Sequence, residues 1–191
     1  FKEGTEFTWD RVVTHLRQQA YLVKGLTIHV IDARAHEGKL ELEGETYMSD
    51  LGIEEPSQTF HFEGGLKSLV KHYNELSKPL HKNIFYIEKS QDNVGVEIAL
   101  QYIDDLSTKI AAYANNIGTA EGGTHVTGFK TSLTRLINTY ARKAGIIKEK
   151  DENLTGDDVL EGLTVVISVK LREIQFEGQT KAKLGSMEAQ G

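Results

Sequence analysis

Apolar residues recur at helical spacing near the start of the chain. Val12, Leu16, Ala20 and Val23 share one face, Thr8 stands where a cap belongs, and Gly25 stands where a helix stops. The pattern predicts a helix over 8–23. Residues 26–33 then alternate, with Leu26, Ile28 and Val30 set against Thr27 and His29, which is the period of a strand. Residues 35–58 are polar, acidic and contain glycine, and they predict a hairpin or surface excursion. A short strand is expected at 59–62. Gly64-Gly65 breaks it and opens a helix to about Leu76, with Leu66, Leu69, Val70 and Tyr73 on one face.

Beyond the turn at Pro79, a strand is expected at 83–88. Residues 94–103 and 108–114 read as an antiparallel pair joined by Asp104-Asp105-Leu106-Ser107. A glycine-rich loop over 115–123 leads into the longest helix, 124–144, with an apolar stripe of Val126, Phe129, Leu133, Leu136, Ile137 and Tyr140. Thr155 and Asp158 fit a capping box for a short helix that Gly162 ends. Residues 163–171 form a β-branched run (Val165, Val166, Ile167, Val169) typical of a buried strand. The tail from Gln175 is polar. A sheet with covering helices makes the fold class α/β or α+β.

Composition narrows the function. The 191 residues suit one domain, or a domain and a piece of another. With no Cys, the chain has no disulfide framework, no Cys-ligated zinc and no thiol nucleophile, which fits a reducing, cytoplasmic setting. The net charge of -6 excludes a uniformly basic nucleic-acid binder. That charge is unevenly spread. Residues 37–63 carry eight acids and one base, a net of -7, whereas residues 124–150 carry six bases and one acid, a net of +5. The chain opens on Phe1 without an apolar leader and is expected to be an excised fragment. Its apolar runs are far short of the ~20 residues a membrane span needs. The glycosylation sequon at Asn153-Leu154-Thr155 reads as chance.

Most chemical motifs fail. Gly118 and Gly123 have phosphate-loop spacing, but Thr124-His125 follow where Lys-Ser/Thr belong. Asp50-Leu51-Gly52 resembles an adenine-contact motif but lacks its second glycine. The seven His show no ligand spacing and read as satisfied surface or core residues, His125 included. Two features survive. On the long helix Arg135 and Arg142 project together away from the apolar stripe, and Lys130 lies near its margin. This face is either solvated or a phosphate-backbone contact. After the buried strand, Gly178-Gln179-Thr180-Lys181 is either a polar loop or a lysine poised for a terminal phosphate.

Taken in order, several blocks resemble the B subunit of the type IIA DNA topoisomerases, with the gyrase branch the best match. They are Glu121-Gly122-Gly123-Thr124-His125, Gly128-Phe129, Leu133-Thr134-Arg135, Thr155-Gly156-Asp157-Asp158, Glu161-Gly162-Leu163 and Gln175-Phe176-Glu177-Gly178-Gln179-Thr180-Lys181. Glu63-Gly64-Gly65, Asn83-Ile84-Phe85-Tyr86, Asn115-Asn116-Ile117 and Leu16-Arg17 with Ala20-Tyr21-Leu22 fit as well. The resemblance implies a boundary. Residues 1–63 would be the helix-strand end of a GHKL ATPase domain with an acidic insertion. Residues 64–191 would be a transducer domain with a ribosomal-protein-S5-like fold and a left-handed βαβ crossover, opposite to the usual hand.

The resemblance also implies roles. Gln179 and Lys181 would touch the γ-phosphate of ATP, and the transducer would relay that contact to strand passage. Lys130 stands where the family places an arginine facing DNA, so the charge is kept and the bidentate fork lost. Arg135 and Arg142 are further DNA candidates. In the full-length protein the cofactors would be ATP and Mg²⁺, and the partners DNA, the A subunit and a second B subunit in a heterotetramer of two A and two B chains. Neither cofactor is expected on this fragment alone, which is expected to be inactive because the elements for adenine, Mg²⁺ and the general base would lie upstream. The alternatives are a topoisomerase IV B subunit, a mismatch-repair or chaperone ATPase relative, or an S5-like nucleic-acid-binding module with no ATPase link.

Overall fold

The computed structural model describes residues 6–36 and 56–191. The chain divides into two compact units, Phe1–Gly65 and Leu66–Gly191. The acidic stretch over 37–55 and its Asp50-Leu51-Gly52 motif lie outside the described residues.

In the first unit, helix α1 (Trp9–Leu22) packs on an antiparallel pair, β1 (Thr27–Ile31) and β2 (Ser57–His61). The helix stops because Gly25 adopts φ +79, a left-handed conformation that costs glycine little. Val13, Ala20, Val30 and Phe60 form the core, with Trp9, Val12 and Leu16 packed against it. Tyr21 stacks on Phe62 and the Arg17 guanidinium lies over the Phe60 ring, 5.3 Å from its centroid.

The second unit is built on a five-stranded sheet in the order β3-β4-β7-β5-β6. The strands are β3 (Phe85–Gln91), β4 (Val94–Tyr102), β5 (Lys109–Ala114), β6 (Ile117–Gly118) and β7 (Leu163–Leu171). Two tight hairpins rest on asparagines and an aspartate in the left-handed region: Asp92 and Asn93 between β3 and β4, Asn115 and Asn116 between β5 and β6. The Asn115 side chain also accepts from Leu171 N and donates to Leu171 O, fastening the end of β7.

The sheet overturns one expectation. β4 and β5 are not partners: β7 lies between them, antiparallel to β4 and parallel to β5. The physical reason is burial. Eight of the nine β7 residues are buried, so this strand takes the centre and displaces the less apolar β5 by one place. A parallel pair needs a crossover. It is supplied by α3 (Thr124–Lys143) and α4 (Gly156–Leu160), the latter held by the expected Thr155/Asp158 capping box.

Both faces of the sheet are covered. Leu163, Val165, Ile167 and Val169 pack with Val126, Phe129 and Leu133 of α3. Helix α2 (Leu66–Tyr73) buries Leu66, Leu69 and Val70 over β4 and β7. A buried polar chain lies beside α2: Thr164 Oγ1 donates to Asn74 Oδ1 (2.7 Å), Asn74 Nδ2 to Gln101 Oε1 (3.0 Å), and Gln101 Nε2 to the His81 carbonyl (3.0 Å). Each member is satisfied, so burial carries no stranded polar group there.

The stripe expected on α3 is only partly buried. Leu136 is 65% and Tyr140 67% exposed, because the C-terminal half of α3 turns Asn138 and Ala141 inward instead. Asn138 bonds both backbone groups of Leu154 (2.9 and 2.8 Å), which binds the helix to the loop before α4. The tail is likewise more than a polar extension, since Leu184 within it is fully buried in the main core.

Ile167 lies at the middle of the central strand and is 1% exposed. Ile167→Ala is expected to lower the unfolding free energy by about 2–5 kcal/mol in urea titrations. A loss below about 1 kcal/mol would show that β7 does not anchor the core.

Candidate functional site

The segment after β7 returns on itself as a short ribbon. Gly185 N donates to Gln175 O (2.8 Å), Glu177 N donates to Lys183 O (3.0 Å), and Phe176 and Leu184 form an antiparallel bridge. Lys183 Nζ meets Glu177 Oε2 at 2.9 Å across the two limbs, and this carboxylate raises the lysine pKa above its ordinary value. The tip is a turn in which Lys181 N donates to Gly178 O at 3.1 Å and Lys181 has φ +56. For a residue with a side chain that conformation costs about 1 kcal/mol and persists because its surroundings fix it. Gln179 and Lys181 are both exposed, and among the described residues neither side chain has a hydrogen-bond or ion-pair partner.

The return limb of the ribbon is joined to the start of α3. Glu121 N donates to Ala182 O (2.9 Å), Leu184 N to Gly122 O (3.0 Å), and Thr124 N to Leu184 O (3.1 Å). Thr124 Oγ1 donates to Ser186 O at 2.6 Å. Gly123 has φ +133 and ψ -164, a region open essentially to glycine alone. A Cβ there would lie inside the backbone of Leu184, and a Cβ at Gly128 would overlap the carbonyl of Gln190. The glycines of this motif therefore let two backbones touch. The Thr124 amide that a phosphate loop would offer to an anion is engaged by Leu184. The glycine-rich loop, its phosphate-loop spacing and the 121–125 and Gly128-Phe129 blocks are legible in the sequence, but the backbone contact that these glycines permit with distant Leu184 and Gln190 is not.

His125 is a core residue, 3% exposed. Its Nε2 lies 3.1 Å from Thr119 Oγ1, whose own proton goes to Ala112 O at 3.0 Å, so Nε2 is the donor. Nδ1 has no hydrogen-bond partner among the described residues. Burial disfavours the imidazolium and lowers the pKa to about 4.

The three basic candidates come together. Lys130, Arg135 and Arg142 line one groove of about 650 Å³ along the outer side of α3, together with Asn138 and Asp157. Their side chains differ in availability. Arg142 is engaged within the chain: Nε donates to Asn153 Oδ1 (2.7 Å), Nη1 to Lys148 O (3.1 Å) and Nη2 to Asp151 O (2.9 Å). It braces the loop after α3. Lys130 and Arg135 are exposed, and their side chains have no hydrogen-bond or ion-pair partner among the described residues. No group of three or more His, Asp or Glu side chains among the described residues could hold a metal ion, and no described helix is long and apolar enough to cross a membrane.

A two-unit chain with a parallel crossover and a ribbon bonded to the crossover helix defines a class on which known proteins can be compared. Residues 65–191 match the family described as DNA gyrase B. The chain belongs to that family. It is 49% identical over 189 residues to the DNA gyrase B protein of Halalkalibacterium halodurans, an alignment covering 99% of this chain and 27% of that one. Among solved structures it resembles the 43K ATPase domain of Thermus thermophilus gyrase B in complex with an aminocoumarin. There the TM-score is 0.79 and the identity 36%, over 98% of this chain and 45% of that one. It also resembles the topoisomerase IV ATP-binding domain of Francisella tularensis in complex with a small-molecule inhibitor, with a TM-score of 0.72 and 26% identity over the same shares. The chain thus spans about a quarter of the length of its curated relative.

The buried His125 makes stability depend on pH. Its folded pKa of about 4 lies below the unfolded value of about 6.5, so the unfolded state takes up the proton first as pH falls. The stability is fully present above pH ~6.5 and is lost as pH drops toward 4, by up to about 3 kcal/mol. Urea titrations at several pH values are expected to show that loss in the wild type and less of it in His125→Gln. Equal pH slopes in the two proteins would remove His125 from the account.

Proposed function

We propose that this chain is the nucleotide-sensing and coupling region of an ATP-dependent type IIA topoisomerase B subunit, of the gyrase type rather than topoisomerase IV. Residues 1–63 are read as the end of the GHKL ATPase domain. Residues 64–191 are read as an S5-like transducer, a reading supported by the parallel β5 and β7 joined through α3. The observation that carries the proposal is the strained turn that presents the Gln179 and Lys181 side chains without a hydrogen-bond or ion-pair partner among the described residues. An amide and an ammonium on a fixed tip fit a terminal phosphate: Lys181 offers a compact charge with three donors, and Gln179 a neutral N–H₂.

ATP, held with Mg²⁺ by the rest of the full-length protein, supplies a γ-phosphate whose hydrolysis removes the anion these two residues hold. The tip is then a switch kept in place by phosphate contacts and released on their loss. The described residues contribute the sensor and not the hydrolytic centre, so the fragment by itself is inactive. Lys130 and Arg135 contact the phosphate backbone of DNA, whereas Arg142 acts within the chain. In the cell the working partners are DNA, the A subunit and a second B subunit within a heterotetramer, in the cytoplasm.

In the full-length protein, Lys181→Ala is expected to reduce ATP-dependent supercoiling at least tenfold, the size of one lost charge-assisted hydrogen bond of about 1.5–3 kcal/mol, with the fold intact by circular dichroism. Wild-type supercoiling in that variant would sink the sensor assignment. The paired change Lys130→Ala with Arg135→Ala is expected to weaken DNA-stimulated ATP hydrolysis and lower its dependence on salt by about one unit of log-log slope per charge. An unchanged slope would leave the two as surface charges.

A further inference from the structure

Gly123 and Thr124 meet the return limb of the ribbon at the start of the helix that carries Gly128, Lys130 and Arg135. The return limb of the ribbon supplies the first acceptor for the amides of α3, because Leu184 O takes Thr124 N. Helix starts leave their first amides without intrahelical partners, and Gly123 at the N-cap position has no side chain to offer. The limb thus acts as the cap of the helix. Two further contacts lock the pair in register: Thr124 Oγ1 on Ser186 O at 2.6 Å, and the close passage of Gln190 over Gly128. Lys130 follows only two residues after Gly128 on the same helix.

We propose that Thr124, with Gly123 and Gly128, is the positioning joint through which a change at the Gln179/Lys181 turn moves the start of α3 and its Lys130/Arg135 face. This rests on the functional reading above. The ribbon limbs are tied by backbone bonds and by the Glu177/Lys183 ion pair, so a displacement of the tip reaches Leu184 rather than dissipating in the loop. At Leu184 the neighbouring backbone is that of Gly122 to Thr124, and it has no slack, since even one Cβ at Gly123 has no room. A joint of this kind affects communication between two sites without touching the ligand of either.

The test uses the full-length protein with its A partner and compares Thr124→Val, Thr124→Ser and Lys181→Ala. Valine keeps the shape and the backbone amide but removes the bond to Ser186 O; serine keeps that bond. Rates of ATP hydrolysis are read without and with linear DNA. Thr124→Val is expected to hold the DNA-free rate within about twofold of wild type while the stimulation by DNA falls at least fivefold, and Thr124→Ser is expected to restore it. The joint is overturned if Thr124→Val retains its stimulation, if its DNA-free rate falls in step, or if serine fails to rescue. Should Thr124→Val lose its cooperative unfolding transition, Gly128→Ala is judged by the same retained or lost stimulation, because alanine favours the helix while displacing Gln190. Lys181→Ala reports separately: a wild-type DNA-free rate there fails the sensor reading itself, whatever the joint variants do.

Discussion

The placement of β7 is the constraint from which the second unit follows. A nine-residue strand with one exposed position must be covered on both faces and paired on both edges. Pairing it antiparallel to β4 and parallel to β5 obliges the chain to cross over between β5 and β7, and α3 is that crossover. Covering its other face obliges α2 to lie across the sheet. Once β7 ends at Leu171, the chain has only a short path back toward the start of α3, and the ribbon over 175–186 fills it.

That geometry turns a packing solution into a device. The long helix needs acceptors for its first amides, and the ribbon needs a neighbour for the backbone of its return limb. Each supplies the other, at a spacing only Gly123 permits. The strained turn at Lys181 is closed by the two limbs, of which the return limb also meets the start of the helix. The exposed tip and the basic groove are therefore linked by a continuous run of backbone bonds and close packing through Leu184 and the start of α3.

Charge sharpens the point. The overall -6 argues against a nucleic-acid partner when taken as an average. A segment of -7 over 37–63 set against a total of -6 leaves the remainder at +1, with six bases in 124–150. The structure then divides those bases by what they already hold. Arg142 looks equivalent to Arg135 on a helical wheel, but three of its donors are engaged by Lys148, Asp151 and Asn153. Helical phase places a side chain on a face; it does not reveal whether the loop that follows the helix has folded back over it.

What the sequence determined by itself was local and periodic. The spans of α1, α3 and β7, the capping box at Thr155, the stop at Gly25 and the exposed Gln179-Thr180-Lys181 turn all follow from spacing, propensity and short-range hydrogen bonding, which act within a few residues. The resemblance carried by its ordered blocks supplied the family. Tertiary structure alone decided the matters in which distant segments compete for one place. It put β7 between β4 and β5, left Leu136 and Tyr140 exposed while burying Asn138, drew Leu184 from a polar tail into the core, and brought Gly123 against that same Leu184, far along the chain. Periodicity says that a face is apolar, but which partner buries it depends on the total burial available across the fold, and no local pattern encodes that sum.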